Sequence, residues 1–158
     1  MENNSAQPKN IIIGLLLLAI IGSLFYFMIG QLKRRETYVA LSKNVKITVE
    51  LAQNDTEQYR GLSNRKSLCQ ACGMLFVWPD YDLRTFVMRD MNFPLDIIFI
   101  ADNKIVKISS NLWPEGSSPQ NIYSSDVPVN YVLEIGGGLT DRYGIAVGDE
   151  VTVNIPQK

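Results

Sequence analysis

Two cysteines, Cys69 and Cys72, are the only thiols in this 158-residue chain, and they stand two residues apart in SLCQACGMLFVWPD. A C-x-x-C pair admits several chemistries. Structural zinc needs four ligands, usually Cys or His; one pair supplies two, and the chain has no histidine. Thioredoxin-like redox chemistry needs the first cysteine at a helix N-terminus inside a βαβ unit. Here Gly73 and a strand-like run follow instead. A local disulfide is the third reading, and it requires an oxidising compartment. It would close a short ring, so loop entropy adds little, but it would pin the turn that feeds GMLFVW. A pair of free thiols in a loop is the alternative. The residues read better as a turn fastener than as a reactive centre, and no metal or cofactor is expected.

The second group of chemistry-bearing residues is charged and set in apolar surroundings. Asp96 lies in FPLDIIFI and Glu134 in YVLEIG; Arg60 precedes Gly61-Leu62, and Arg89 interrupts FVMRDM. A carboxylate covered on both sides must be paired or hydrogen-bonded, because an isolated buried charge is too costly. At least one of Asp96 and Glu134 is therefore expected to meet an arginine, Arg60 first and Arg89 second, on the concave side of a barrel. Trp113 and Tyr123 sit at the two ends of a long polar loop, where they could stack on a sugar ring or other flat ligand. Arg60, Arg89, Asp96, Trp113, Tyr123 and Glu134 are thus the candidate binding residues. With no histidine as general base, an enzyme would have to run on carboxylates, with Asp96 and Glu134 as an acid/base pair. Met74, Met88 and Met91 could bind soft copper, but read better as fillers of core gaps.

The elements that position these residues fall into two parts. Residues 1–10 form a tail. IIIGLLLLAIIGSLFYFMIG, residues 11–30, has no charge and spans roughly 30 Å as a helix, the thickness of a bilayer core. Phe25, Tyr26 and Phe27 place aromatic rings near its exit, as interfacial belts do. A cleaved signal has a shorter apolar core and an A-x-A-like site, which is not evident here, so an uncleaved anchor is expected. Lys33, Arg34 and Arg35 outweigh Lys9 and, by the positive-inside rule alone, place the following domain in the cytoplasm. Residues 31–44 serve as a tether. From Glu36 onward, 11 basic residues face 15 acidic ones, a net charge of −4; a nucleic-acid partner would need a basic stripe.

From residue 45 to 158 the apolar period is two. VKITVELA alternates Val45, Ile47, Val49 and Leu51 with polar residues, as a half-buried strand does. DTEQYRGLSNRKSL reads as a short helix or turn with Asp55 or Thr56 as N-cap. GMLFVW is a strand covered on both faces, RTFVMRDM a further strand, and LDIIFIADNKIVKISSNLW a hairpin turning at Asp102-Asn103. NYVLEI and IAVGDEVTVNI complete the set, the latter turning at Gly148-Asp149. Six or seven strands and one or two short helices, without βαβ alternation, predict an all-β barrel or sandwich.

YRGLSNRKSL, CGMLFVW, FVMRDMNFPLDIIFI, YSS, YVLEIGGG and GIAVGDEV follow one another as in a family of small prokaryotic proteins, domain of unknown function 192, and the chain resembles that family from about Val45 to Ile155. The resemblance implies a compact, mostly β fold and frequent export, and no reaction. Phe86-Val87-Met88-Arg89-Asp90-Met91 stands where the family usually has Phe-Trp-Met-Lys-Asn-Thr. The resemblance thus implies a different specificity wherever that segment meets a ligand. It also favours an extracytoplasmic domain against the basic-residue count. The expected function is a membrane-tethered extracytoplasmic β domain acting as a non-catalytic binding or accessory module. Its partners are the membrane through residues 11–30 and a small molecule, glycan or protein, with no nucleic acid. The carboxylate-dependent hydrolase is the alternative.

Overall fold

The computed structural model describes residues 8–33, 36–42 and 44–156; Arg34, Arg35 and most of the expected tail lie outside them. The chain forms two units, an N-terminal helical one and a β-rich one over Thr37–Ile155. Helix α1 is Pro8–Lys33, 26 residues. Its stretch Ile11–Ile29 is long and apolar enough to cross a membrane, with apolar side chains all round, as in membrane spans. A signal sequence has the same properties, and the helix is consistent with either.

The β unit runs β1 Tyr38–Leu41, β2 Val45–Ala52, α2 Asp55–Arg60, β3 Cys72–Asp82, β4 Thr85–Phe86, β5 Leu95–Ala101, β6 Lys104–Leu112, β7 Tyr123–Ser124, β8 Val129–Gly136, α3 Leu139–Tyr143 and β9 Val151–Asn154. Seven strands form one sheet in the order β6-β5-β8-β3-β2-β1-β9, and β4 pairs with β7. Only β2 and β3 run parallel within this sheet, and α2 lies on their crossover. The sheet curls into a half-barrel until its edges meet at one end. There Ile105 donates its amide hydrogen to the Asp149 carbonyl at 3.0 Å and Val151 to that of Asn103 at 2.8 Å. The fold is thus the expected all-β one.

Strand alternation divides the core into two layers. Inside the curl pack Val39, Ile47, Leu75, Ile98, Leu133 and Val151 among others. On the outer face lie Leu62, Met74, Phe76, Met88, Ile97 and Phe99. The second layer exists because α2, the segment around β4 and the long loop cover the outer face. Met74, Met88 and Met91 are buried there.

Three local expectations are corrected. The sheet begins at Tyr38, inside the expected tether. Four residues are too short to display a period, although Val39 and Leu41 are buried. RTFVMRDM is strand only at Thr85–Phe86. Asp90 has a φ of 52°, and the segment beyond Phe86 bonds to the long loop, the Asp90 amide donating to the Gly116 carbonyl at 2.8 Å and the Met88 carbonyl accepting from the Glu115 amide at 3.2 Å. The N-cap of α2 is Asn54, whose side chain accepts from the Glu57 amide at 3.0 Å. The hairpin turn is as expected, with Asp102 and Asn103 both at positive φ.

Cys69 and Cys72 form a disulfide. It closes the turn that delivers Gly73 into β3, the fastening role expected from the sequence.

Asp96 is fully buried and, among the described residues, meets no arginine. Its Oδ1 accepts from the amides of Asn111 at 2.7 Å and Gly138 at 2.8 Å. Its Oδ2 accepts from the amide and hydroxyl of Thr140, both at 2.7 Å. Gly138 offers no side-chain cap to α3, so the carboxylate on β5 caps that helix and ties β6 and the glycine turn to the sheet. Asp96→Asn keeps one acceptor oxygen and turns an amide N–H toward buried donors. Charge-assisted bonds of this kind contribute about 1.5–3 kcal/mol each, so the variant is expected to lose about 3 kcal/mol in urea denaturation of the detergent-solubilised chain. A loss under about 0.5 kcal/mol, typical of surface changes, would show that this network does not hold the fold.

Candidate functional site

A cavity of about 360 Å³ opens on the outer face of the sheet. Its wall is built from four places in the sequence: the end of α2, the middle of β3, the segment 83–91 and the centre of β8. Glu134 of β8 lines it, together with the side chains of Arg60, Arg84 and Arg89.

Register explains how a glutamate reaches this place. Glu134 faces Met74 on β3 and Ile97 on β5; directly opposed residues share a face, and both partners belong to the outer layer. Asp96 faces Ile135, which belongs to the layer inside the curl. The two carboxyl groups therefore lie on opposite sides of one sheet. They do not converge, and the expected acid/base pair does not form. The expected concave location is corrected too, because the cavity lies outside the curl.

Among the described residues, no ion pair joins Glu134 or Asp96 to an arginine. Arg65 binds the carboxylate of Glu50 through both terminal nitrogens, one of them at 2.7 Å, and its charge acts on Glu134 from a distance. That attraction offsets little of the cost of burial. Burial pushes the Glu134 carboxyl from an ordinary value near 4.5 up to about 8, so the group is mostly protonated at neutral pH. Its Oε2 is buried without a hydrogen-bond partner.

Gly61 leaves the space above this oxygen. It ends α2 with its amide bonded to the Glu57 carbonyl at 2.8 Å and has a φ of 49°, a conformation glycine adopts without steric cost. A Cβ there would come within 3.7 Å of Oε2 and 3.3 Å of the Phe76 ring. The side walls are aromatic. Phe86 meets Phe76 edge to face at 4.8 Å, and Trp78 stacks beside Phe76 at 6.1 Å.

Two of the arginines are fixed by these walls. The Arg84 guanidinium lies over the Trp78 ring at 4.5 Å and donates to the Asp80 carboxylate at 2.9 Å. Its Nε is buried without a partner. Buried Ser125 holds the Arg84 backbone on both sides, accepting from its amide at 3.1 Å and donating its own amide to the Arg84 carbonyl at 2.9 Å. Arg89 lies over Tyr59 at 4.0 Å and donates to the Tyr59 carbonyl at 2.7 Å. Arg60 is exposed at the rim. The arrangement offers a cationic rim, flat apolar walls and one protonated carboxyl group at the floor.

Of the expected site residues, Arg60, Arg89 and Glu134 come together here. Asp96 serves the fold. Trp113 is exposed, and Tyr123 packs on the outer layer with its hydroxyl donating to Glu115 at 3.1 Å; neither lines the cavity. Sequence reasoning missed Trp78, Phe86 and Arg84. Their one local signal was an aromatic residue and an arginine bracketing the polar stretch PDYD after a buried strand.

The folded chain holds the Glu134 proton to about pH 8, and the unfolded chain releases it near pH 4.5. Between those values the folded state binds more protons, so stability falls as pH rises. The full loss amounts to roughly 4–5 kcal/mol. Glu134→Gln removes it. Urea denaturation at pH 5 and pH 8.5 is expected to show the variant gaining several kcal/mol on the wild type over that interval. Parallel curves would mean that the carboxyl is not held neutral.

The sequence matches the family model for domain of unknown function 192 (DUF192), described as "Uncharacterized ACR", over residues 38–153. Among solved structures, a protein from Sinorhizobium meliloti called a "putative transcription regulator" is 32% identical, with 75% of this chain and 93% of that one covered and a TM-score of 0.69. A protein of unknown function from Novosphingobium aromaticivorans is 35% identical, with 74% and 83% covered and a TM-score of 0.67. No curated protein matches the sequence.

Proposed function

The chain belongs to the DUF192 family, which is uncharacterised, and we propose that its β unit is a non-catalytic, membrane-tethered module that binds a small molecule in the outer-face cavity. The observation that carries the reading is the buried, unpartnered Glu134 oxygen at the floor of a preformed cavity. Buried polar groups are almost always hydrogen-bonded, and an exception asks for a reason. A ligand oxygen or nitrogen in the cavity supplies one. The volume is at the small end of ligand pockets, about 300–1,000 Å³. Protein partners need a broad surface, whereas this site is concave. The regulator name of the Sinorhizobium protein finds no support in the charge of this chain, which is net acidic from Glu36 onward.

Val87 stands half-open at the cavity wall, so Val87→Trp fills the space without touching the core. A screen of single-ring fragments by ligand-observed NMR on the full chain in detergent is expected to give hits that disappear in Val87→Trp. Hits that bind both proteins equally would place binding elsewhere and remove this reading.

The tether and the side of the membrane belong to the same proposal. The apolar helix supports the anchor, and the disulfide supports an oxidising, extracytoplasmic compartment. Protease added to intact spheroplasts is expected to cut the β unit, and protein purified without reductant is expected to show no titratable thiols. Protection until lysis, with two free thiols, would put the domain in the cytoplasm.

A further inference from the structure

The polar groups of the cavity are unequal in sign. Three arginines line it, and burial favours the protonated form of Glu134, the one carboxyl among the lining residues. Guanidinium groups present N–H donors and no acceptors. Two buried atoms have no partner, the Arg84 Nε and the Glu134 Oε2. The first is an N–H donor, and a protonated carboxyl group adds an O–H donor. Donors therefore prevail from rim to floor. Between them stand flat rings, with Trp78 and Phe86 nearly perpendicular to each other at 6.4 Å. A volume of about 360 Å³ suits one ring with short substituents better than a nucleotide or an oligosaccharide.

Resting on the binding reading above, we propose that the ligand is a small ring-bearing organic acid whose oxyanion is held by Arg84, Arg89 and Arg60 and whose far end presents an oxygen to Glu134. Arg84 is the anchor of this site. Its ring stack and its bond to Asp80 fix the guanidinium plane, and its buried Nε has no partner in the fold. Arg89 is fixed in the same way by Tyr59. Preorganised arginines lose little freedom when an anion arrives. An amine would meet the guanidinium groups as like charges and find a neutral acid at the floor.

The test uses the full chain in detergent and three matched probes, 4-hydroxyphenylacetate, 4-hydroxyphenylacetamide and tyramine, which share a ring and a phenol and differ in charge. The acid is expected to bind about tenfold or more tightly than the amide, the difference a charge-assisted hydrogen bond makes, and tyramine is expected not to bind. Arg60→Gln, at the exposed rim where substitutions leave the fold intact, is expected to weaken the acid several-fold and leave the amide unchanged. Arg84→Gln is expected to bring the acid down to the level of the amide. If the amide or tyramine binds as well as the acid, and Val87→Trp still abolishes that binding, the cavity is a binding site and the organic-acid assignment is wrong. If none of the three probes binds, both readings fall.

Discussion

Around β5 and β8 both faces of the sheet are covered, and the burial of its two central carboxyl groups follows from that. In a sheet open to water on one side, a charged residue out of step with its neighbours simply points to solvent. Here neither β5 nor β8 has a solvent face. β8 and β5 send alternate side chains into one of two packed layers, so a carboxyl group on either strand is buried whichever way it points. The cost of a buried ionised group is then met in one of two ways: by hydrogen bonds that favour the charged form, or by holding a proton.

Asp96 and Glu134 lie a single strand apart and differ in their partners. Asp96 accepts four hydrogen bonds from the glycine turn, α3 and the end of β6, and its role is complete within the fold. Glu134 has apolar neighbours on both flanking strands, and the nearest acting cation, Arg65, is engaged by Glu50. Its environment does not finish the job of satisfying it. That asymmetry separates a structural carboxylate from a group available to a ligand, and it depends on which layer each one enters rather than on residue type.

The strands themselves were legible in the sequence, because alternation and β-branched runs are local properties. VKITVELA, GMLFVW, LDIIFIADNKIVKISS and NYVLEI all became strands, and the turn at Asp102-Asn103 formed as its residues suggest. That Asp96 and Glu134 had to be buried was also readable, from their apolar surroundings. Their faces were not. Facing depends on register between β5 and β8, which are separated by the hairpin partner and the long loop. One residue of slip would exchange the two layers. The cavity was half legible for the same reason. Arg60, Arg89 and Glu134 stand out as charges in apolar context, whereas Trp78, Phe86 and Arg84 become neighbours only when β4 docks on β7 and Ser125 holds the Arg84 backbone.

The departures from the family pattern can now be placed. Val87, Arg89 and Met91 stand where the usual Trp, Lys and Thr would be, and all three line the cavity. Val for Trp removes a large ring from the wall and enlarges the space. Arg for Lys replaces a point charge with a planar fork able to stack on Tyr59 and hold an oxyanion through two N–H groups. Met for Thr exchanges a hydroxyl for a pliable apolar side chain. The disulfide, Asp96 and the inner layer keep the frame in register, while these positions set size, charge and polarity around a floor group whose burial costs stability as pH rises.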